Sequence, residues 1–196
     1  MYFHLLTLIW VYASFASATI TFRLQKAANP TADQADAYTH IESVMRTAIA
    51  RYSKYATRPN KNITVQYVPS VATADGNFNG NLRFGKGRQY MNERTALHEI
   101  AHTLGIGQTK AFDTRCAANN WPSGTKLLRT WDGPNAKINC GGGHIWPYGL
   151  NYDKEMSETN AVRHCSMYLN EDPIWETKSH RDFLAQVDSA PMADSA

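Results

Sequence analysis

His98-Glu99-Ile100-Ala101-His102 is the stretch on which the reading of this chain turns. On a helix, His98 and His102 stand at i and i+4, on one face and about one turn apart, so both imidazoles can reach a single ion. Glu99 lies one step round the helix, where its carboxylate can address water at that ion. The flanking residues favour the helix. Asn92 offers an N-cap, the run Glu93 to Leu97 contains neither Gly nor Pro, and Ala96, Leu97, Ile100, Ala101 and Leu104 supply an apolar face. Gly105 supplies the stop. With 7 His in 196 residues, the pattern arises by chance in roughly one such chain in a hundred.

Working outward, the first residues form an apolar run that closes on Ala16-Ser17-Ala18. Residues 1–18 therefore read as a secretory signal peptide cut before Thr19, with the amino terminus as its only positive charge. Its apolar core is shorter than the ~20 residues that span a bilayer. No other segment is long and apolar enough to cross one, so no membrane association is expected after signal removal. Residues 19–188 then make one domain, expected to be secreted and monomeric, and 189–196 a disordered tail. The formal charge of +3 is mild, and no Lys/Arg run interleaves with aromatics, which argues against nucleic acid as a partner. Cys116, Cys140 and Cys165 all follow the His-bearing segment. A Cys116–Cys140 disulfide is expected because both sit in loop-like sequence, with Cys165 a buried thiol on a helical pattern. Asn62-Ile63-Thr64 is the one N-x-[ST] sequon.

Thr19 to Leu24 alternates and is rich in β-branched residues, so it predicts a first strand. From Asp33 to Tyr55, Ala37, Ile41, Val44, Met45, Ala48, Ile49 and Tyr52 recur at helical spacing and predict a long amphipathic helix. Asn62 to Val68 reads as a second strand, Asp75 to Gly80 as a turn-rich connection, and Asn81 to Gly85 as a short edge strand. Gln108 to Tyr152 is dense in Gly, Asn, Trp and Pro and reads as a long loop region, of the kind that is functional or stapled. A helix returns from about Glu158 to Asn170, and a short one is expected near Lys178 to Val187.

The order strand, helix, strand, edge strand, His-bearing helix resembles the N-terminal half of zincin metallopeptidases of the metzincin type. The family pattern H-E-x-x-H-x-x-G-x-x-H is followed from His98 through Gly105, and Gln108 stands where the third His belongs. Tyr148-Gly149-Leu150-Asn151-Tyr152 is similar to the metzincin Met-turn, with Leu150 at the Met position and Tyr152 at the Tyr position of the astacin-like branch. The string His-x-Trp-Pro-Tyr-Gly-Leu-Asn-Tyr is also similar to one in secreted microbial zincin-like domains. The resemblance implies an α+β, zincin-like single domain. Its N-terminal mixed sheet would pack with a long helix and the active-site helix, and its loop-rich C-terminal part would carry one main helix. It also implies an edge strand, here Asn81 to Gly85, that holds extended substrate by strand addition.

A catalytic zinc normally has three protein ligands and water. An amide oxygen at Gln108 is a poor zinc donor beside imidazole. His40 reads as a surface residue, His164 as a structural one, and His180 lies in the polar tail. His144 follows Gly141-Gly142-Gly143, which permit close backbone approach, and is favoured as the third ligand with Gln108 as the alternative. The expected activity is then that of a zinc endopeptidase acting on peptide or protein. His98, His102 and His144 hold Zn²⁺, Glu99 is the general base, and Tyr152, or failing it Tyr148, donates to the oxyanion. Two other readings stand beside it. One is a non-catalytic secreted binding or effector module on the same scaffold. The other is a carbohydrate-binding protein with Trp121, Trp131 and Trp146 as an exposed platform.

Overall fold

A computed structural model describes residues 19–56 and 60–167. The expected signal peptide at 1–18, the last residues of the 158–170 helix, the short helix near 178–187, His180 and the tail 189–196 lie outside the described residues. What is described is α+β, with a four-stranded mixed sheet, a two-stranded hairpin and five α-helices. Among these residues no helix is long and apolar enough to cross a membrane.

Strand β1 (Thr19–Gln25) leads into α1 (Ala32–Tyr55) and returns as β2 (Asn60–Tyr67), which pairs parallel to β1. α1 starts at a reciprocal cap: the Thr31 hydroxyl accepts from the Gln34 amide, and the Gln34 side chain accepts from the Thr31 amide. Its buried stripe of Ala37, Tyr38, Ile41, Met45, Ala48 and Tyr52 keeps the helical period, and all but Tyr38 share one core cluster with Ile63, Val65, Leu82 and Phe84 of the sheet. Val44 and Ile49 flank that stripe, partly buried. Next come β3 (Ala74–Gly76), β4 (Asn81–Phe84) and α2 (Glu93–Thr103). Arg51 of α1 reaches Glu93 of α2 at 2.7 Å and Glu158 at 2.6 Å, the latter opening α5 (Glu158–Met167), so one guanidinium ties three helices together.

The strand order is β1-β2-β4-β3, with β4 parallel to β2 and β3 antiparallel to β4. This corrects one expectation: Asn81 to Gly85 is not the sheet edge, because β4 is covered on its outer side by β3. The edge lies in the segment read as a turn. Asp75 and Gly76 are poor strand formers, and β3 forms by backbone pairing to Arg83 and Leu82 of β4.

A second correction concerns 108–152, which is not mainly loop. It holds α3 (Lys110–Ala118), α4 (Pro122–Asp132) and a hairpin of β5 (Asn139–Gly141) with β6 (His144–Trp146). Thr109 caps α3 by accepting from the Phe112 amide. Pro122, which reads as punctuation, opens α4 at a position where its missing N–H costs nothing. The Cys116–Cys140 disulfide and the buried Cys165 thiol are both present, although Cys116 sits on a helix and not in a loop. Trp121 is buried against Phe112 in a second cluster that also contains Leu128, Ile138 and Ile145. It therefore cannot belong to an exposed platform with Trp131 and Trp146.

Candidate metal centre

Asn92 caps α2 by accepting from the Thr95 amide at 2.9 Å, and the helix is buried from Thr95 to Thr103. Leu97, Ile100 and Leu104 face the main core, which leaves His98 and His102 on the side that opens to a cleft of about 680 Å³. Each histidine is held by its Nδ1: that of His98 lies 2.8 Å from the Gly149 carbonyl, and that of His102 2.7 Å from the Ile106 carbonyl. A carbonyl only accepts, so Nδ1 carries the proton and Nε2 presents a lone pair in each neutral ring. The two Nε2 atoms lie 3.1 Å apart. Two lone pairs at that distance repel unless a cation lies between or beside them.

His144 completes the group. It opens β6, and its Nδ1 lies 2.9 Å from the Gly142 carbonyl, so its Nε2 is likewise an acceptor. One ring nitrogen from each of His98, His102 and His144 lies within 4.8 Å of the others, and the three can hold a metal ion. The backbone carbonyls orient the rings as outer-shell partners of metal-bound histidines do. Burial, and then the charge that His102 would carry, push His98 down to about 3, and burial lowers His102. Both rings are therefore neutral at pH 7, the form that binds metal.

Two glycines bring the parts together. At Gly76, a Cβ would stand 2.4 Å from the Glu99 carbonyl oxygen, so only glycine lets the β3 edge lie this close to α2. Gly107 has φ +67°, and its Cβ would stand 1.9 Å from the Gly143 carbonyl oxygen. The close approach expected at Gly141 to Gly143 thus requires glycine chiefly at Gly107, a role the sequence did not signal. Gly107→Ala is expected to push the hairpin away and weaken Zn²⁺ binding roughly tenfold or more in a chelator-competition titration. Gly141→Ala meets nothing within 4 Å and is expected to leave it unchanged.

Glu99 is buried, yet it lines the same cleft and stands outside the three-histidine group. Burial pushes its carboxyl up to about 8, and the Asp75 charge adds to this. Arg94 and a hydrogen bond from the Gly76 amide oppose the rise. A dication held by the three histidines would favour the ionised form.

Tyr152 lines the cleft with a side chain that is 58% exposed, and Gln108 lies on its rim outside the histidine cluster. Tyr148, the alternative oxyanion donor, is placed elsewhere. Its hydroxyl is taken up by Asp132 and Arg163, which join α4 to α5. Leu150 is fully buried in the main core, in a turn whose Gly149 carbonyl orients His98. Arg94 holds that turn through the Leu150 carbonyl at 3.2 Å. His40 is exposed beside Asp36.

His164 is buried and structural. Its Nδ1 lies 2.7 Å from the Tyr148 carbonyl and its Nε2 2.9 Å from the Tyr52 hydroxyl, tying α5 and α1 to the turn beneath the site. Burial holds its imidazole down at about 4 against an ordinary 6.5. Below pH 6.5 the unfolded chain takes up a proton that the folded chain refuses, so stability is lost as pH falls from 6.5 toward 4 and is flat above. Between pH 7.5 and 5 this one ring accounts for about 2 kcal/mol of loss. In denaturant unfolding of metal-free protein, His164→Asn is expected to reduce the pH dependence by that amount, and an unchanged slope would contradict the buried neutral ring.

Compared with known protein families, with curated proteins and with solved structures, the chain matches none.

Proposed function

We propose that this chain is a secreted zinc-dependent endopeptidase, a single zincin-like domain of metzincin type that acts as a monomer on peptide or protein. The observation that carries the reading is the gathering of three imidazole nitrogens within 4.8 Å of one another in a cleft that Glu99 also lines. An all-imidazole set suits Zn²⁺ and not the oxygen-seeking Mg²⁺ or Ca²⁺. Bound there, zinc would supply Lewis acidity, bringing the pKa of water toward neutrality and polarising the scissile carbonyl.

The chain's own residues do the rest. Glu99 takes the proton from the attacking water and delivers it to the leaving amine. Tyr152, whose exposed side chain lines the cleft, donates to the oxyanion. The β3 edge, with Ala74, Asp75 and Gly76 along the cleft, offers backbone groups to an extended peptide. The Cys116–Cys140 disulfide supports an oxidising destination outside the cytosol.

A non-catalytic binding module is favoured by Gln108 and Leu150, which depart from the metzincin pattern. Against it stands Glu99: a buried acid beside a metal-ligand group is costly to keep unless its proton is used. A casein assay with added Zn²⁺, run with and without chelator, separates the two. Cleavage that chelator removes is expected. Zinc binding without cleavage would assign the protein to the binding module, and cleavage insensitive to chelator would refute zinc catalysis.

A further inference from the structure

We propose that the Cys116–Cys140 disulfide is the positioning element of the metal site, because it fixes the hairpin that carries His144. The proposal rests on the three-histidine metal reading and not on peptide hydrolysis. His98 and His102 share α2, so the helix alone sets their relation. His144 comes from a hairpin of two three-residue strands, and a hairpin of that size is at best marginally stable by itself. At its tip Gly143 packs closely on Gly107, but the rest of the tip is open. Gly142 and Gly143 both have positive φ, and Gly141 and Gly142 would meet nothing within 4 Å if a Cβ were added.

Apart from the Gly107–Gly143 contact, the hairpin is held from its two strands. On the β6 side, Ile145 is buried and its carbonyl accepts from the Asn151 side chain at 3.0 Å. On the β5 side, Ile138 is buried just before the strand, and Cys140 is joined to Cys116 of α3 with their Cα atoms 5.8 Å apart. α3 is tied in turn to the end of α2, since the Thr109 hydroxyl donates to the Gly105 carbonyl at 3.3 Å. The bond thus joins α3, which follows the helix carrying His98 and His102, to the hairpin carrying His144, and it bypasses a 24-residue separation that runs through α4. Opening it lengthens that path and lowers the effective concentration of His144 at the His98–His102 pair.

Both cysteines are half-buried, so a small reductant can reach them. A trialkylphosphine serves as the reductant. The S–S bond breaks, two thiols form, and the phosphine becomes its oxide with oxygen taken from water. Zn²⁺ affinity is then measured by chelator competition for the oxidised protein, the phosphine-reduced protein and the Cys116→Ala/Cys140→Ala chain. Each is prepared with His144 and with His144→Ala, and circular dichroism reports folding. Opening the bond is expected to weaken zinc about 10–100-fold when His144 is present, as loss of an outer-shell support does. It is expected to change affinity less than about twofold when His144 is absent.

Equal affinity of oxidised and reduced folded protein would overturn the proposal. So would an equal loss in both backgrounds, which marks general loosening. If the double-alanine chain does not fold, the comparison is read from zinc release after phosphine is added to folded, loaded protein. Release about tenfold faster only with His144 supports the proposal, and equal release overturns it. Failure of the oxidised wild type to bind zinc would overturn the metal reading itself, a result distinct from an affinity that reduction leaves unchanged.

Discussion

Glu99→Gln is expected to remove hydrolysis while leaving the metal in place. The substitution keeps size and shape, and the amide oxygen can still accept from the Gly76 amide. What is lost is the ability to take and return a proton, which in general acid–base catalysis is worth about 10²–10⁴-fold. Because Glu99 lies outside the ligand group, Zn²⁺ affinity should stay within about threefold. Replacing a buried ionisable group with a neutral one also spares its desolvation cost, so stability should not fall. The check is kcat on a peptide substrate beside zinc content in the same preparation. Undiminished zinc-dependent kcat would remove Glu99 from the mechanism. Loss of zinc together with activity would make Glu99 a ligand or a structural support instead.

His144→Ala is expected to have the largest effect on metal binding, and Gln108→Ala almost none. Removing one of three imidazole donors should weaken Zn²⁺ roughly a hundredfold or more. Gln108 occupies the position of a third histidine in the sequence pattern, but its side chain is exposed at the rim of the cleft and offers only a neutral amide. Competition titration of the two variants beside wild type reads the difference directly. A large loss in Gln108→Ala with no loss in His144→Ala would reverse the ligand assignment.

Long, periodic elements are legible in the sequence. α1 declares itself through seven apolar positions at helical spacing, and α2 through a cap, an apolar face and a terminal glycine. Elements made by tertiary pairing were not legible. β3 contains Asp75 and Gly76 and exists because β4 offers it a backbone ladder, so no strand pattern of its own marks it as the edge. In α3 and α4 the helical pattern is short, and Pro122, Trp121 and Trp131 look like loop punctuation until Pro122 is seen at the first turn of a helix. The distinction between Tyr148 and Tyr152 is also spatial. Both belong to one short string, and only the placement of Asp132 and Arg163 shows that the Tyr148 hydroxyl is committed to holding helices together. Of the site, His98, Glu99 and His102 follow from local spacing. The pairing of Gly107 with Gly143, the edge at Gly76 and the carbonyls that orient each ring depend on chain crossings that no local pattern encodes.

X-ray absorption on wild-type protein loaded with one equivalent of Zn²⁺ tests the three-histidine centre most directly. One tightly held zinc per chain with three imidazole nitrogens at roughly 2.0–2.1 Å is expected. A shell with two imidazoles or fewer, or no zinc retained after dialysis, would contradict a centre built from His98, His102 and His144.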